Sequence, residues 1–150
     1  MTTIPDLALP SAKEVMQQIA LAEAEDAEKQ ARARADAEAE KKALIDQLSR
    51  PSGVSEEEAI GRAKVIIERA MKNRMTEVEV FRFPNLLCTD KGRAINQQEP
   101  GWEKTLQGAP KEIYNLWEKY FRVRGYKLRA QIVDFPDGLP GDIAMTLSWA

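Results

Sequence analysis

From Ser11 to Leu48 the chain runs 38 residues, "SAKEVMQQIALAEAEDAEKQARARADAEAEKKALIDQL", without a glycine or a proline. Eleven alanines follow Ser11 in that stretch, and alanine has the highest intrinsic helix propensity of any residue. The stretch predicts one long helix. Ser11 and Glu14 form a capping box just after Pro10, and Arg50-Pro51-Ser52-Gly53 stops the helix. Glu25 with Lys29, Glu28 with Arg32 and Glu38 with Lys42 are i, i+4 pairs in the favoured order. Residues 1–10 are expected to be a flexible N-terminal segment, lacking the basic start and apolar run of a signal peptide.

A second capping box, Ser55 with Glu58, opens another helix to about Asn73, and Val54 can staple against Ala59. Its apolar positions Ala59, Ile60, Ala63, Ile66, Ile67, Ala70 and Met71 recur at helical spacing, so this helix buries a face. The first helix is roughly 55 Å long and the second roughly 27 Å. Paired in a hairpin, the shorter covers only the half of the longer nearest the turn. Val15, Met16, Ile19, Ala20, Ala24, Ala27 and Ala31, in the other half, read as a narrow stripe of mostly small residues suited to close helix contact. They are the expected protein-binding residues, for copies of the same chain or for a larger complex. The competing reading is a solvated helix whose alanines reflect propensity alone.

Beyond Thr76 the pattern changes. "EVEVFRF" at 77–83 predicts a strand with partial alternation, ended by Pro84-Asn85. Ala109-Pro110 opens a helix with Ile113, Leu116, Trp117, Tyr120 and Phe121 on one face, closed by Gly125. Strands follow at 126–135, with Leu128, Ala130 and Ile132 inward, and at 143–149, with Ile143, Met145, Leu147 and Trp149 inward. The fold class expected is α+β: a long helical hairpin over 11–75, coiled-coil-like, then a small three-stranded domain over 76–150 in the order strand, helix, strand, strand. The crossover helix should make the first two strands parallel, and the last two should form an antiparallel hairpin. The second helix is the natural cover for the sheet.

Two regions of this domain could carry chemistry. "DFPDGLPGD" at 134–142 has three carboxylates, but their spacing does not fit a helix-loop-helix calcium loop and no glutamate closes it. Turn chemistry accounts for it: Pro136-Asp137-Gly138 suits one turn and Pro140-Gly141 a type II turn. If the first two strands are parallel, the long loop 84–102 emerges at the same sheet edge and brings Asp90, Arg93 and Asn96 near Asp134, Asp137 and Asp142, a candidate ligand-binding edge. An internal ion pair that orders the loop is the stronger reading of that arginine. The second region, "KYFRVRGYKLR", offers Lys119, Arg122, Arg124, Lys127 and Arg129 between aromatics, a candidate nucleic-acid surface. Residues 77–150, however, hold ten acids and ten bases, and nucleic-acid binders are usually basic.

Composition narrows the chemistry further. With no histidine and one cysteine, the chain has no Ser-His or Cys-His dyad, no internal disulfide and none of the usual zinc or iron ligand sets. Cys88 lies beside leucines and reads as a small buried hydrophobe. No stretch approaches the length of apolar sequence that spans a bilayer. The expectation is a cytoplasmic, non-enzymatic assembly or adaptor protein without cofactor or metal. The alternatives are a nucleic-acid-binding regulator using 119–129 and a small-molecule-binding domain at the loop edge.

Overall fold

The computed structural model describes residues 8–150, and the flexible segment expected at 1–10 lies, for residues 1–7, outside them. The chain is an α+β protein. Two helices, α1 (Ala12–Ser49) and α2 (Glu56–Lys72), precede a three-stranded antiparallel sheet of β1 (Glu77–Phe83), β2 (Lys127–Ile132) and β3 (Ile143–Ser148). It divides into two compact units, Met1–Lys41 and Lys42–Ala150.

The described part of the first unit is the N-terminal three-quarters of α1. Its cap is the reciprocal box expected: the Glu14 amide donates to Ser11 Oγ at 3.1 Å and the Ser11 amide donates to Glu14 Oε2 at 3.3 Å. Of the three i, i+4 pairs, Glu28 with Arg32 closes to 2.5 Å. No residue of α1 is buried.

In the second unit the core is built on β3, whose Ile143 and Met145 have no exposed surface at all. Phe83, Leu87, Cys88, Ile95, Leu106 and Ile132 complete the cluster. From the last turns of α1, Ile45 and Leu48 pack against it, so the division between the units falls inside that helix. Gly108 makes this contact feasible: with φ +63°, a β-carbon there would lie 2.7 Å from the Ser49 Cα and closer still to the Leu48 carbonyl oxygen. Helix α2 packs against β1 with Ala59, Ile60, Ala63, Ile66, Ile67 and Ala70 as its covered row, while Met71 stays exposed. Its cap is one-sided: Ser55 Oγ accepts from the Glu58 amide at 3.1 Å, and the Glu58 carboxylate turns to Arg62 at 2.9 Å.

The strand order is β1-β3-β2. Strands β1 and β2 do run in the same direction, as the helical crossover requires, but they are not neighbours. The last strand slots between them and pairs antiparallel with both. This placement gives the most apolar strand two partners, and it leaves the charged strands β1 and β2 at the edges, where charge discourages further pairing. The broken alternation of "EVEVFRF" has a structural cause: the register shifts between Glu79 and Phe81, a bulge that turns Val78, Phe81 and Phe83 toward Leu147, Met145 and Ile143.

The helix from Ala109 changes pitch as it runs. It is α-helical over α4 (Ala109–Leu116), π-helical over Trp117–Phe121 and 3-10 over Arg122–Arg124, ending on Gly125 at φ +89°. The wider turn accommodates Trp117, whose indole N–H donates to the Tyr126 carbonyl at 3.0 Å, while Phe121 stays buried edge-on to the Tyr126 ring.

Candidate functional site

The long segment 84–102 is not a loose loop. It contains a 3-10 turn at Asn85–Leu87, the short helix α3 (Arg93–Asn96), and a bridge from Cys88 to Leu106, and it contributes Leu87, Cys88, Ala94 and Ile95 to the interior. Elements of three or four residues are too short to leave a periodicity in sequence, which is why the segment read as irregular. Asp90 organises it: one carboxylate oxygen accepts from the Gly92 amide at 3.0 Å and the other from the Ala94 amide at 2.9 Å. The buried Asn85 side chain donates to the Lys91 carbonyl at 2.9 Å.

Arg93 does not face the carboxylates of 134–142. It pairs with Glu99 at 2.8 Å and reaches Gln97 at 3.2 Å, and the Glu99 hydrogen bond raises its pKa above the ordinary arginine value. The arginine that meets those carboxylates is Arg82, 3.1 Å from Asp142 and 3.8 Å from Asp134. The register explains it. Phe83, Ile132 and Ile143 stand side by side at one end of the sheet, so Arg82 on the outer face reaches the start of β3 and the chain after β2. In sequence, the alternation of "FRF" puts Arg82 on the outer face, but only the pairing places it beside Asp142.

The nine residues 134–142 form the turn between β2 and β3. The Gly138 amide donates to the Phe135 carbonyl at 3.1 Å, with Pro136 second in the turn, and Asp137 sits at φ +53°. Pro140-Gly141 is not a type II turn, because Gly141 has no positive φ. Its amide donates instead to the Asp134 carbonyl at 3.0 Å, and the Asp142 amide donates to Asp134 Oδ1. Gly141 is needed here for space, since a β-carbon would meet Pro136 Cδ at 2.7 Å and run into the Asp134 carboxylate. Asp134 thus spends its oxygens on the turn and on Arg82. No group of three metal-ligating side chains comes together among the described residues.

The five basic groups of 119–129 each have a local partner. Lys119 and the Tyr120 hydroxyl both reach Glu56 at the start of α2, and these donors hold the Glu56 carboxyl below the usual range. Arg122 lies over the Trp117 ring and 3.7 Å from Glu118. Arg124 donates to the Tyr120 carbonyl at 2.5 Å, Lys127 to the Ala150 carbonyl at 3.2 Å, and Arg129 pairs with Glu77 at 3.2 Å. Cys88 is buried, and burial pushes its thiol up to about 11.

On α1 the residues expected to bind a partner are all exposed, Val15 at 41%, Ile19 at 45% and Met16 at 64% of their full area. They are not one narrow stripe. On a regular helix Ala20, Ala24, Ala27 and Ala31 fall within roughly 60° of arc, whereas Ile19 and Val15 lie roughly 110° and 150° round from them. Met16 lies beside the alanine row, whereas Ile19 and Val15 lie toward the opposite side of the helix.

Among the described residues no helix is long and apolar enough to cross a membrane. Comparisons with protein-family models, with curated proteins and with solved structures give no match.

Proposed function

We propose that the chain is a cytoplasmic, non-enzymatic assembly or adaptor protein, acting through coiled-coil-like association of α1 with copies of itself or with a larger complex. The observation that carries this reading is that every residue of α1 from Ala12 to Leu44 is exposed, and only Ile45 and Leu48 near its end pack against the rest of the chain. A row of alanines permits helix axes to approach to the short end of the usual 8–10 Å. The affinity of such a seam is modest, because each buried methyl contributes only about 0.8 kcal/mol. Association is therefore expected at concentrations of roughly 0.1–1 mM, or lower where many copies share the contact.

The alternatives draw less support. The bases of 119–129 are offset by Glu56, Glu118 and Glu77, and the carboxylates near the sheet edge are engaged by Arg82 and backbone amides. Light scattering tests the proposal. The intact chain should exceed its monomer mass of 16.9 kDa at high concentration, and Ala24→Glu with Ala27→Glu, at exposed positions, should return it to monomer with helical content unchanged. A monomer mass for the intact chain at every concentration would overturn self-association.

A further inference from the structure

Resting on that reading, we infer that the partner of α1 is a second copy of this chain, running antiparallel, with the two-fold axis between Glu25 and Asp26. The spacing Ala20, Ala24, Ala27, Ala31 is 4, 3, 4, the same in both directions. An antiparallel copy therefore brings Ala20 against Ala31 and Ala24 against Ala27 of the second copy, and a parallel copy brings each alanine against itself. The alanines alone do not choose. The charges beyond them do.

Extending the same row by heptad steps places Lys13 and Gln17 before the alanines and Arg34 and Glu38 after them, all eight within roughly 100° of arc. Antiparallel pairing about the same axis sets Lys13 opposite Glu38 of the second copy, twice by symmetry, and Gln17 opposite Arg34. Parallel pairing in register sets lysine on lysine, arginine on arginine and glutamate on glutamate. The edges of the row agree. Glu23 and Glu28 flank the seam at g and e positions, which oppose each other directly between parallel helices. In the antiparallel pair Glu23 comes beside Gln30 and Glu28 beside Leu21. Lys13 and Glu38 are exposed and form no ion pair among the described residues, so both are available to a second copy.

Single added cysteines test the orientation on the full chain, where Cys88 is buried. A disulfide requires Cα atoms about 4.4–6.8 Å apart. Antiparallel pairing separates two copies of residue 20 by roughly 16 Å along the axis. Ala20→Cys alone should therefore not cross-link under mild oxidation, whereas Ala20→Cys mixed with Ala31→Cys should give a heterodimer. Lys13→Glu should weaken association roughly fivefold, and adding Glu38→Lys should restore it. Efficient cross-linking of Ala20→Cys to itself, or no recovery in the charge-swapped double variant, would overturn the antiparallel register. Either result in a chain that light scattering shows to be multimeric would leave the assembly reading intact. A chain that stays monomeric at every concentration would overturn the antiparallel pair and self-association together, leaving the larger complex as the remaining form of the assembly reading.

Discussion

Replacing Gly108 by alanine separates the cost of a backbone conformation from that of a close approach. Gly108 sits at φ +63°, ψ −136°, near a region populated almost only by glycine, and holding another residue there costs about 1–3 kcal/mol. The added β-carbon would also lie 2.7 Å from the Ser49 Cα, about 1 Å inside ordinary carbon contact. The Ser49 Cα and the Leu48 carbonyl oxygen that it would meet both belong to the backbone, so neither can turn aside. The end of α1 must then lift from the start of α4, loosening the half-buried Ile45 and Leu48 at about 1 kcal/mol each. The total is about 3–5 kcal/mol. Gly125 is the control: its φ is +89°, but a β-carbon there meets nothing within 4 Å, so Gly125→Ala should cost only the left-handed conformation, about 1–2 kcal/mol. Urea unfolding followed by tryptophan fluorescence gives both losses from the shifted midpoints, provided the slopes agree. Equal losses in the two variants would refute the argument that Gly108 is there to let the helix end approach.

Two further outcomes follow from the titratable groups. With its thiol buried and pushed up to about 11, Cys88 should resist alkylation at pH 8, where only about a thousandth of it is thiolate, and react fully in denaturant; prompt native labelling would contradict its place in the core. Glu56 has a folded pKa below its unfolded one because Tyr120 and Lys119 bond its charged form. Its contribution to stability is thus present above the ordinary carboxylate pKa of about 4.3 and fades as pH falls through the folded value. The stability difference between the wild type and Glu56→Gln should shrink on acidification, and a difference that stays flat from pH 7 to pH 3 would show that the Glu56 contact is not formed in solution.

Much of the fold is legible in local sequence because its signals are local. The capping boxes at Ser11 and Ser55, the apolar row of α2, and the inward residues of β2 and β3 each follow from a period or a side chain reaching its own backbone. The segment 84–102 was not legible, since its order comes from Asp90 and Asn85 bonding neighbouring amides and carbonyls and from Leu87 and Ile95 reaching a core assembled elsewhere. The π-helical stretch at Trp117 escaped for a similar reason: it answers to Tyr126, on the far side of a turn.

The sequence by itself determined where α1 and α2 begin and end and which faces are apolar, because propensity, capping and periodicity act over a few residues. Tertiary structure alone decided that β3 lies between β1 and β2, that Arg82 rather than Arg93 meets Asp142, and that Gly108 receives the end of α1. The pairing of β1 with β3, the Arg82–Asp142 contact and the approach of α1 to Gly108 each join residues some sixty or more apart. No local preference selects such a pairing: it is chosen by which arrangement buries the most apolar strand on both edges and leaves the charged ones at the rim.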